Sequence, residues 1–385
     1  MPSEHRFEPE VSKPNHSEVS VAGRSVNIAF LGDLMFVGEW GKLRTKAASL
    51  SALGDLRALL TSQDLVFANL ETTIGGTEGH ISKQPRVIGD PLVLRNCLSV
   101  LGVDIVNLAN NHSFDSYISG SDAVRDLLED QRILYFGAGP TSEEAAQPCI
   151  VEKNGICFGW LGYASLDTKP SHIASRDNYG VNPLIEEAII VDVRELRRRV
   201  EHVIVSLHWG IEFCHLPSPA QIRFARTLID EGVSFVVGHH AHVIQGFERY
   251  KNGVIAYNLG NVTTTDFHIN SRLAIRQTPR TRSSFVPCIT FTQNSIAELK
   301  LLPTRSYKAA IHVEDPVAQR ILEKANRQLR EGVSSGRWRA RRIFEDVFLR
   351  SLWKLDPKVI RSIRWHHAFS LFRNLSSALR GQGPQ

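Results

Sequence analysis

Apolar residues gather in short, near-continuous runs along the first 260 residues, and most runs are followed by a stretch of helical spacing. The runs at 26–31, 65–70, 104–108, 156–161, 203–207, 234–237 and 254–257 are too short for helices and rich in Val, Ile, Leu and Phe. Runs of that length predict strands buried on both faces, hence sheets covered by helices. Two helices carry local signals. Ser218-Pro219-Ala220-Gln221 supplies an N-cap, a proline at the first helical position and a capping-box glutamine. Ala225, Leu228 and Ile229 follow as an apolar stripe, and Gly232 ends it. Ser121 is expected to cap a second helix carrying Val124, Leu127 and Leu128. Beyond residue 262 the texture changes. Residues 263–284 read as a polar surface loop, 285–292 and 296–302 as a hairpin, and 316–330 as a helix broken by Ser334-Ser335-Gly336.

The polar residues fall at the ends of the predicted strands. The strand ends carry Gly32-Asp33-Leu34-Met35, Asn69-Leu70-Glu71, Asn107-Leu108-Ala109-Asn110-Asn111-His112, His208-Trp209-Gly210, Gly238-His239-His240-Ala241-His242 and Asn258-Leu259-Gly260-Asn261. In α/β sheets, sites form in the crevice beyond the carboxyl ends of strands. Taken singly, each cluster has an ordinary explanation. Asp33 reads as a turn residue, Asn110-Asn111 as a left-handed turn, and His208 as a structural histidine. Recurrence at six strand ends favours one converging site. Mixed carboxylate, amide and imidazole donors suit Mn, Zn or Fe better than Mg or Ca. Two such ions about 3.5–4 Å apart need a bridging carboxylate, and Glu71 or Asp33 could serve.

Charge alters the picture at one end only. Between Arg327 and Arg380 thirteen Lys and Arg face four Asp and Glu, so that segment is +9 and the rest of the +5 chain is −4. The basic pI belongs to the tail, and no nucleic-acid partner is expected. The tail's Arg337-Trp338-Arg339 run and the Phe344, Phe348, Leu352 and Leu355 series have two readings. The preferred one is a helical extension packed on the body of the protein. The alternative is peripheral contact with an anionic membrane surface. Five scattered cysteines without a CxxC pair argue against a disulfide framework or a thiolate zinc site. Residues 1–24 lack a signal-peptide apolar stretch and read as a disordered leader, so a cytoplasmic protein is expected. The body is expected to span residues 25–310 and the basic extension 311–385.

At these strand-end motifs the chain resembles the CapA-type family of poly-γ-glutamate capsule-biosynthesis proteins, within the calcineurin-like metallophosphatase superfamily. The motifs are those at Asp33, Glu71, His112 with Asp115, His208 with Glu212, His240 with His242, and Asn261, spread over roughly residues 26–303. The resemblance implies a four-layer α/β/β/α sandwich. It implies Asp33, Glu71, Asn111, His208, His240 and His242 as ligands of one or two divalent transition-metal ions (Mn, Zn or Fe). Glu71 would bridge, Asn111, His208 and His240 would complete one ion, and Asp33 and His242 would help hold the other. His112 would be the acid that protonates a leaving group. Asn69, Asn110, Asp115, Glu212 and Asn261 would support, and His239 would point away. Two positions depart from the family pattern, and a third, Met35, departs from the wider superfamily as is common in the CapA branch. Met35 stands where the superfamily carries a histidine, Ala241 where proline is favoured, and Asn258 where serine is usual. A thioether is a soft ligand and a poor substitute at that position.

The function implied is metal-dependent hydrolysis in capsule, poly-γ-glutamate or other surface-polymer biosynthesis. The expected substrate is a phosphorylated or polyglutamyl molecule, with attack on a phosphoester. γ-Glutamyl amide cleavage is the alternative chemistry. A non-catalytic metal-binding scaffold or polymer-binding subunit is the alternative class.

Overall fold

The computed structural model describes residues 24–269 and 272–342. Fourteen strands build the two main sheets. In chain order they are β1 (Ser25–Leu34), β2 (Leu65–Leu70), β3 (Ile105–Asn107), β4 (Leu134–Phe136), β5 (Cys149–Lys153), β6 (Ile156–Ala164), β7 (His202–His208), β8 (Val233–His239), β9 (Gly246–Tyr250), β10 (Gly253–Asn258), β11 (Asn261–Thr263), β12 (Ser283–Thr292), β13 (Ile296–Tyr307) and β14 (Ala310–Val313). The first sheet has eight strands in the order β14-β13-β12-β1-β2-β3-β4, with β11 paired to the far end of β1. The second has six, in the order β9-β10-β8-β7-β6-β5. Parallel pairing runs through the middle of each sheet, from β1 to β4 and through β6, β7, β8 and β10.

Three apolar clusters define four layers. Phe30 and Phe67 from the first sheet meet Phe158, Trp160 and Phe235 from the second in a core between the sheets. The rings of Phe30 and Phe235 sit edge to face, 4.6 Å apart. Helices α1 (Lys46–Leu60), α2 (Pro91–Leu101) and α3 (Tyr117–Asp130) bury Leu56, Leu98 and Leu128 with Leu31 and Val66 on the outer face of the first sheet. A short helix, α4 (Ser142–Ala146), precedes β5. Helices α5 (Glu186–Leu196) and α6 (Pro219–Asp230) bury Val193 and Leu228 with Val205 and Val236 on the outer face of the second. This is the α/β/β/α sandwich, and the runs that predicted strands buried on both faces are its inner strands. The capping box of α6 forms as its sequence predicts, with Gln221 N donating to Ser218 Oγ at 3.1 Å and Ser218 N to Gln221 Oε1 at 2.9 Å.

Two local expectations are corrected. Helix α3 starts at Tyr117, so Ser121 lies buried inside it instead of capping it. The Glu78 carboxylate, far away in sequence, accepts from Ser119 N at 2.8 Å and satisfies that first-turn donor. Residues 263–284 are more than a surface loop. Thr263, Thr264 and Thr265 are buried. Thr263 Oγ1 accepts from Met35 N at 2.7 Å, and Thr264 O accepts from Trp40 Nε1 at 2.8 Å. Their polarity is spent on interior backbone and indole groups, which sequence alone reads as exposure.

Ordered structure continues past residue 310. Strand β14 pairs with β13. Helix α7 (Pro316–Arg330) packs on β9 of one sheet and on β12 and β13 of the other, burying Leu322 and Ala325 in the inter-sheet core. Helix α8 (Ser335–Arg342) follows. The Phe344–Leu355 series and the leader at residues 1–23 lie outside the described residues. Among the described residues no helix is long and apolar enough to cross a membrane.

Candidate metal centre

Strand geometry explains how six segments reach one point. In β1 the register against β2 shifts between Leu31 and Asp33, and this irregularity brings Asp33 level with Asn69. Gly32 allows it, because a Cβ there would lie 2.1 Å from Gly260 O. Glu71 leaves the end of β2, and Asn111 and His112 leave the turn after β3. His208 is the last residue of β7 and His239 the last of β8. A Cβ at Gly238 would lie 1.9 Å from Tyr257 O, so glycine is required where β8 meets β10. His240 and His242 then adopt left-handed backbone, with φ of 88° and 55°. Non-glycine residues there cost about 1–3 kcal/mol each, a strain characteristic of functional loops. The turn aims both imidazoles back at Glu71, and donor atoms of Glu71, His240 and His242 lie within 4.8 Å of one another.

Glu71 stands between two groups of side chains. Its Oε1 lies 3.5 Å from His208 Nε2 and 3.9 Å from His112 Nε2. Its Oε2 lies 3.8 Å from His242 Nδ1. On the first side Asn111 Oδ1 meets His208 Nε2 at 2.9 Å, and the His208 and His240 rings are 4.8 Å apart. On the second side His242 Nδ1 is 3.2 Å from Asp33 Oδ2 and 2.9 Å from Asn261 Oδ1. The two carboxylate oxygens therefore face the two groups of side chains that the family resemblance implies as separate donor sets.

The supporting residues hold these groups in place. Asn69 donates from Nδ2 to Asp33 Oδ1 at 2.8 Å. Asn110 ties the loop down, donating to Leu70 O at 2.8 Å and accepting from His112 N at 3.0 Å. Asp115 Oδ2 meets His112 Nδ1 at 2.6 Å and also accepts from Val87 N at 2.8 Å. Asn261 donates to Thr281 O at 2.8 Å. Glu212 lines the mouth with Met35, Phe213 and His242. His239 is the exception to expectation. It shares the inner face of β8 with Phe235 and Val237, and it points at the site, with Nδ1 3.2 Å from Asp33 Oδ1. Strand alternation dictates this, since residues 235, 237 and 239 share one face.

Two further residues serve the site, one inside a strand-end cluster and one without any signal in the sequence. Asn107, the last residue of β3, donates from Nδ2 to Asn69 Oδ1 at 3.1 Å and so stands behind the residue that orients Asp33. A strand end with a buried amide was the available clue. Lys83 reaches in from a polar segment and donates from Nζ to Asn111 O at 2.7 Å. No local pattern marks it.

Burial and proximity set the charges. Burial pushes the Glu71 carboxyl well above the usual carboxylate range, against the pull of His242. Burial also acts upward on Asp33, but hydrogen bonds and charge from His239 and His242 outweigh it and hold the carboxyl well below its ordinary value. Burial holds His208 well below the usual imidazole range, with His240 adding to the effect. Burial lowers His240 to about 3. His242 resists burial because Glu71 and Asp33 face it, and it is raised to about 10. Burial lowers Lys83, opposed by Asp115 and Glu71.

Comparison with known proteins places this architecture. The family described as "Bacterial capsule synthesis protein PGA_cap" matches residues 27–265. The chain belongs to that capsule synthesis family. Similar relatives include the PGA biosynthesis protein CapA of Bacillus subtilis, 26% identical over 61% of this chain and 62% of that protein. The capsule biosynthesis protein CapA of Bacillus anthracis is 32% identical over 42% of this chain and 40% of that protein. The chain thus spans under two thirds of the length of these curated relatives. Among solved structures, a hypothetical protein from Thermus thermophilus is 15% identical, with a TM-score of 0.47 over 73% of this chain and all of that one. A 5'-nucleotidase from Staphylococcus aureus, described as putative, is 12% identical, with a TM-score of 0.44 over 78% of this chain and 58% of that one.

In this member of the capsule synthesis family the polar atoms themselves test the fit to an ion. Among the described residues, both Glu71 oxygens and His240 Nδ1 are buried without a hydrogen-bond partner. A buried carboxylate with no donor costs several kcal/mol, and such costs persist where a ligand repays them. Carboxylate, amide oxygen and neutral imidazole form a borderline donor set that fits Mn, Zn or Fe.

Proposed function

We propose that this member of the capsule synthesis family is a metal-dependent hydrolase of surface-polymer biosynthesis, centred on Glu71. The observation that carries the proposal is the buried Glu71 carboxylate, whose two unpartnered oxygens face two separate donor groups. Asn111, His208 and His240 would hold one ion on the Oε1 side, and Asp33 and His242 would serve the other side, beside Met35 at the mouth. A divalent transition metal bound here supplies a water-derived nucleophile at neutral pH and withdraws charge from the reacting group.

The chain's own residues do the rest. Asp115 is an acceptor, so the Nδ1 proton of His112 stays on that hydrogen bond. His112 Nε2 is left facing Glu71 and the crevice, where it can give a proton to a leaving group. Burial lowers His112 and makes its protonated form a stronger acid, while Asp115 keeps that form accessible. Lys83 adds positive charge and fixes the Asn111 backbone. Asn69 and His239 hold the Asp33 carboxylate in one orientation.

Cleavage of a phosphoester is the leading chemistry. γ-Glutamyl amide cleavage is the second reading, supported by a relative described as a PGA biosynthesis protein. His112 can protonate either leaving group. Metal analysis of the purified protein beside His240→Ala tests the centre; equal metal content in both would sink the proposal. A panel of phosphoesters and γ-glutamyl peptides, each run against His112→Ala, separates the chemistries. Turnover of neither class by fully metal-loaded protein would leave a binding scaffold.

A further inference from the structure

Residues 75–87 form a strap that starts after β2, runs along the mouth of the centre and returns before α2. Its two ends are tied together where the short strands Thr73–Ile74 and Ile88–Gly89 pair in parallel. Its middle is pinned around His112. Ser119 N donates to Glu78 at 2.8 Å, Ile81 N to Asp115 O at 3.0 Å and Val87 N to Asp115 Oδ2 at 2.8 Å. His112 Nδ1 meets the same Asp115 Oδ2, so one carboxylate fixes both the strap and the proton donor. Between the two Asp115 contacts Lys83 reaches inward and donates from Nζ to Asn111 O at 2.7 Å. An ammonium has three donors. Among the described residues Asn111 O is the one acceptor that Lys83 Nζ meets, and no carboxylate lies within ion-pair distance of it. Its charge still bears on Glu71 and on His112. Two N–H groups of a half-buried cation are thus left for a ligand at the edge of the centre. The mouth beside the strap is narrow. It encloses about 20 Å³, room for about one water-sized group, with Pro85 of the strap, Phe213, Phe267 and Ile275 among its walls.

We propose that Lys83 contacts the substrate, holding a terminal phosphoryl oxygen, and that Lys83 and the narrow mouth together select phosphate monoesters over diesters. The proposal rests on the reading of the centre as a metal-dependent hydrolase of phosphoesters, and it adds the substrate class and a binding residue. A monoester dianion presents three terminal oxygens, whereas a diester presents two and a single negative charge. A lone ammonium aimed at a terminal oxygen therefore gains more from the monoester. The mouth acts in the same direction. A diester inside a polymer carries chain on both sides of phosphorus and needs two exits, whereas a monoester needs one. In the reaction the bond from phosphorus to the ester oxygen breaks and a bond from phosphorus to a water oxygen forms. The ester oxygen leaves with a proton from His112, and a proton of the water replaces it, giving an alcohol and inorganic phosphate. Negative charge on the terminal oxygens persists through this transfer, so a fixed cation beside them serves both binding and reaction.

The test uses full-length protein loaded with manganese, with metal content measured first. Inorganic phosphate is titrated by calorimetry, and p-nitrophenyl phosphate is compared with bis(p-nitrophenyl) phosphate as substrate. Lys83→Met removes the charge and the bond to Asn111 O, whereas Lys83→Gln removes the charge and keeps a donor for that carbonyl. Both variants should keep their metal and bind phosphate roughly 10- to 100-fold more weakly, and both should lose most of the preference for the monoester in kcat/KM. Unchanged phosphate affinity in both variants overturns the contact. Loss of metal in Lys83→Met, with full phosphate affinity in Lys83→Gln, makes Lys83 a support of the Asn111 backbone and overturns it as well. Unsubstituted protein that turns over the diester at least as well as the monoester, or neither of them, overturns the substrate class. Unsubstituted protein that takes up no manganese defeats the centre itself before any phosphate is added, so the two failures are read separately.

Discussion

Strand β7 begins and ends on a buried histidine, and the two imidazoles live under different conditions. At its start, His202 has both ring nitrogens paired. Nε2 lies 2.7 Å from Thr292 O on the opposite sheet, and Nδ1 lies 2.9 Å from Ser234 Oγ. A carbonyl can only accept, so Nε2 carries the proton and Nδ1 accepts from the serine hydroxyl. The ring stacks on Phe158 at 5.4 Å and tilts against Phe291 at 4.8 Å. At the other end, His208 faces Asn111, Glu71 and the His240 ring. Burial lowers both histidines, so both are neutral. The difference lies in their neighbours. His208 also has both ring nitrogens paired, Nδ1 3.4 Å from Asn69 Nδ2 and Nε2 2.9 Å from Asn111 Oδ1, but beside it stands Glu71, whose carboxylate has no hydrogen-bond partner among the described residues. A histidine among satisfied neighbours is structural, and one beside an unsatisfied buried carboxylate is a candidate ligand. Burial alone separates nothing.

The comparison can be broken most sharply at the His208 end. His240→Ala should abolish metal uptake and with it hydrolysis, read by metal analysis and rate together. His112→Ala should lower kcat by roughly 10²–10⁴-fold with metal content unchanged. Loss of metal in that variant would make His112 part of the donor set instead. At the other end, His202→Ala should cost about 2–4 kcal/mol in denaturant unfolding, because it strands Thr292 O and leaves a void among aromatic rings. Its metal content should match the unsubstituted protein, and a drop would erase the distinction between the two ends.

Two smaller effects involve protons. Between Glu71, raised by burial, and His242, raised to about 10 mainly by Glu71 and Asp33 against the opposing effect of burial, the metal-free centre holds at least one proton at neutral pH. Metal uptake must displace it, so affinity should rise with pH, and calorimetry in two buffers should show proton release. Uptake without proton release would contradict these charge assignments. At His202 the sign is set by burial. The unfolded imidazole takes up a proton near about 6.5 while the folded one resists. The His202 contribution to stability is therefore full above that pH and declines as pH falls from about 7 toward 5. His202→Gln should flatten that part of the stability–pH curve, and an unchanged curve would assign the decline to other groups.

Much of this was legible in the sequence, for physical reasons. Strands buried on both faces need apolar runs, and α/β crevices collect polar residues at strand ends, so Asp33, Glu71, Asn111, His208 and His242 announce themselves together. Family resemblance supplied the division of these residues between two groups. Tertiary partners hid the rest. Ser121 looks like a cap because nothing local reveals that Glu78 binds Ser119 N instead. Thr263 to Thr265 look exposed because their partners, Met35 and Trp40, lie more than 220 residues away. Lys83 has no periodicity to betray it. His239 could have been placed by counting along β8 from Phe235, since residues two apart share a face.

Strand β1 is paired on one edge by a segment that follows it more than two hundred residues later in the chain. Val26 pairs with Phe291 and Ile28 with Ile289, and Thr290 donates to Asn27 across 263 positions of sequence. At roughly 5–20 residues per second, that edge of β1 stays open for about 10–50 s of synthesis. Asp33 has β2 beside it early, but Asn261 and the β12 edge arrive only after more than two hundred further residues. The centre therefore cannot close around an ion on a half-made chain. Any ion the proposed centre takes must bind after Asn261 has been made, and the β1 edge stays unpaired until β12 follows.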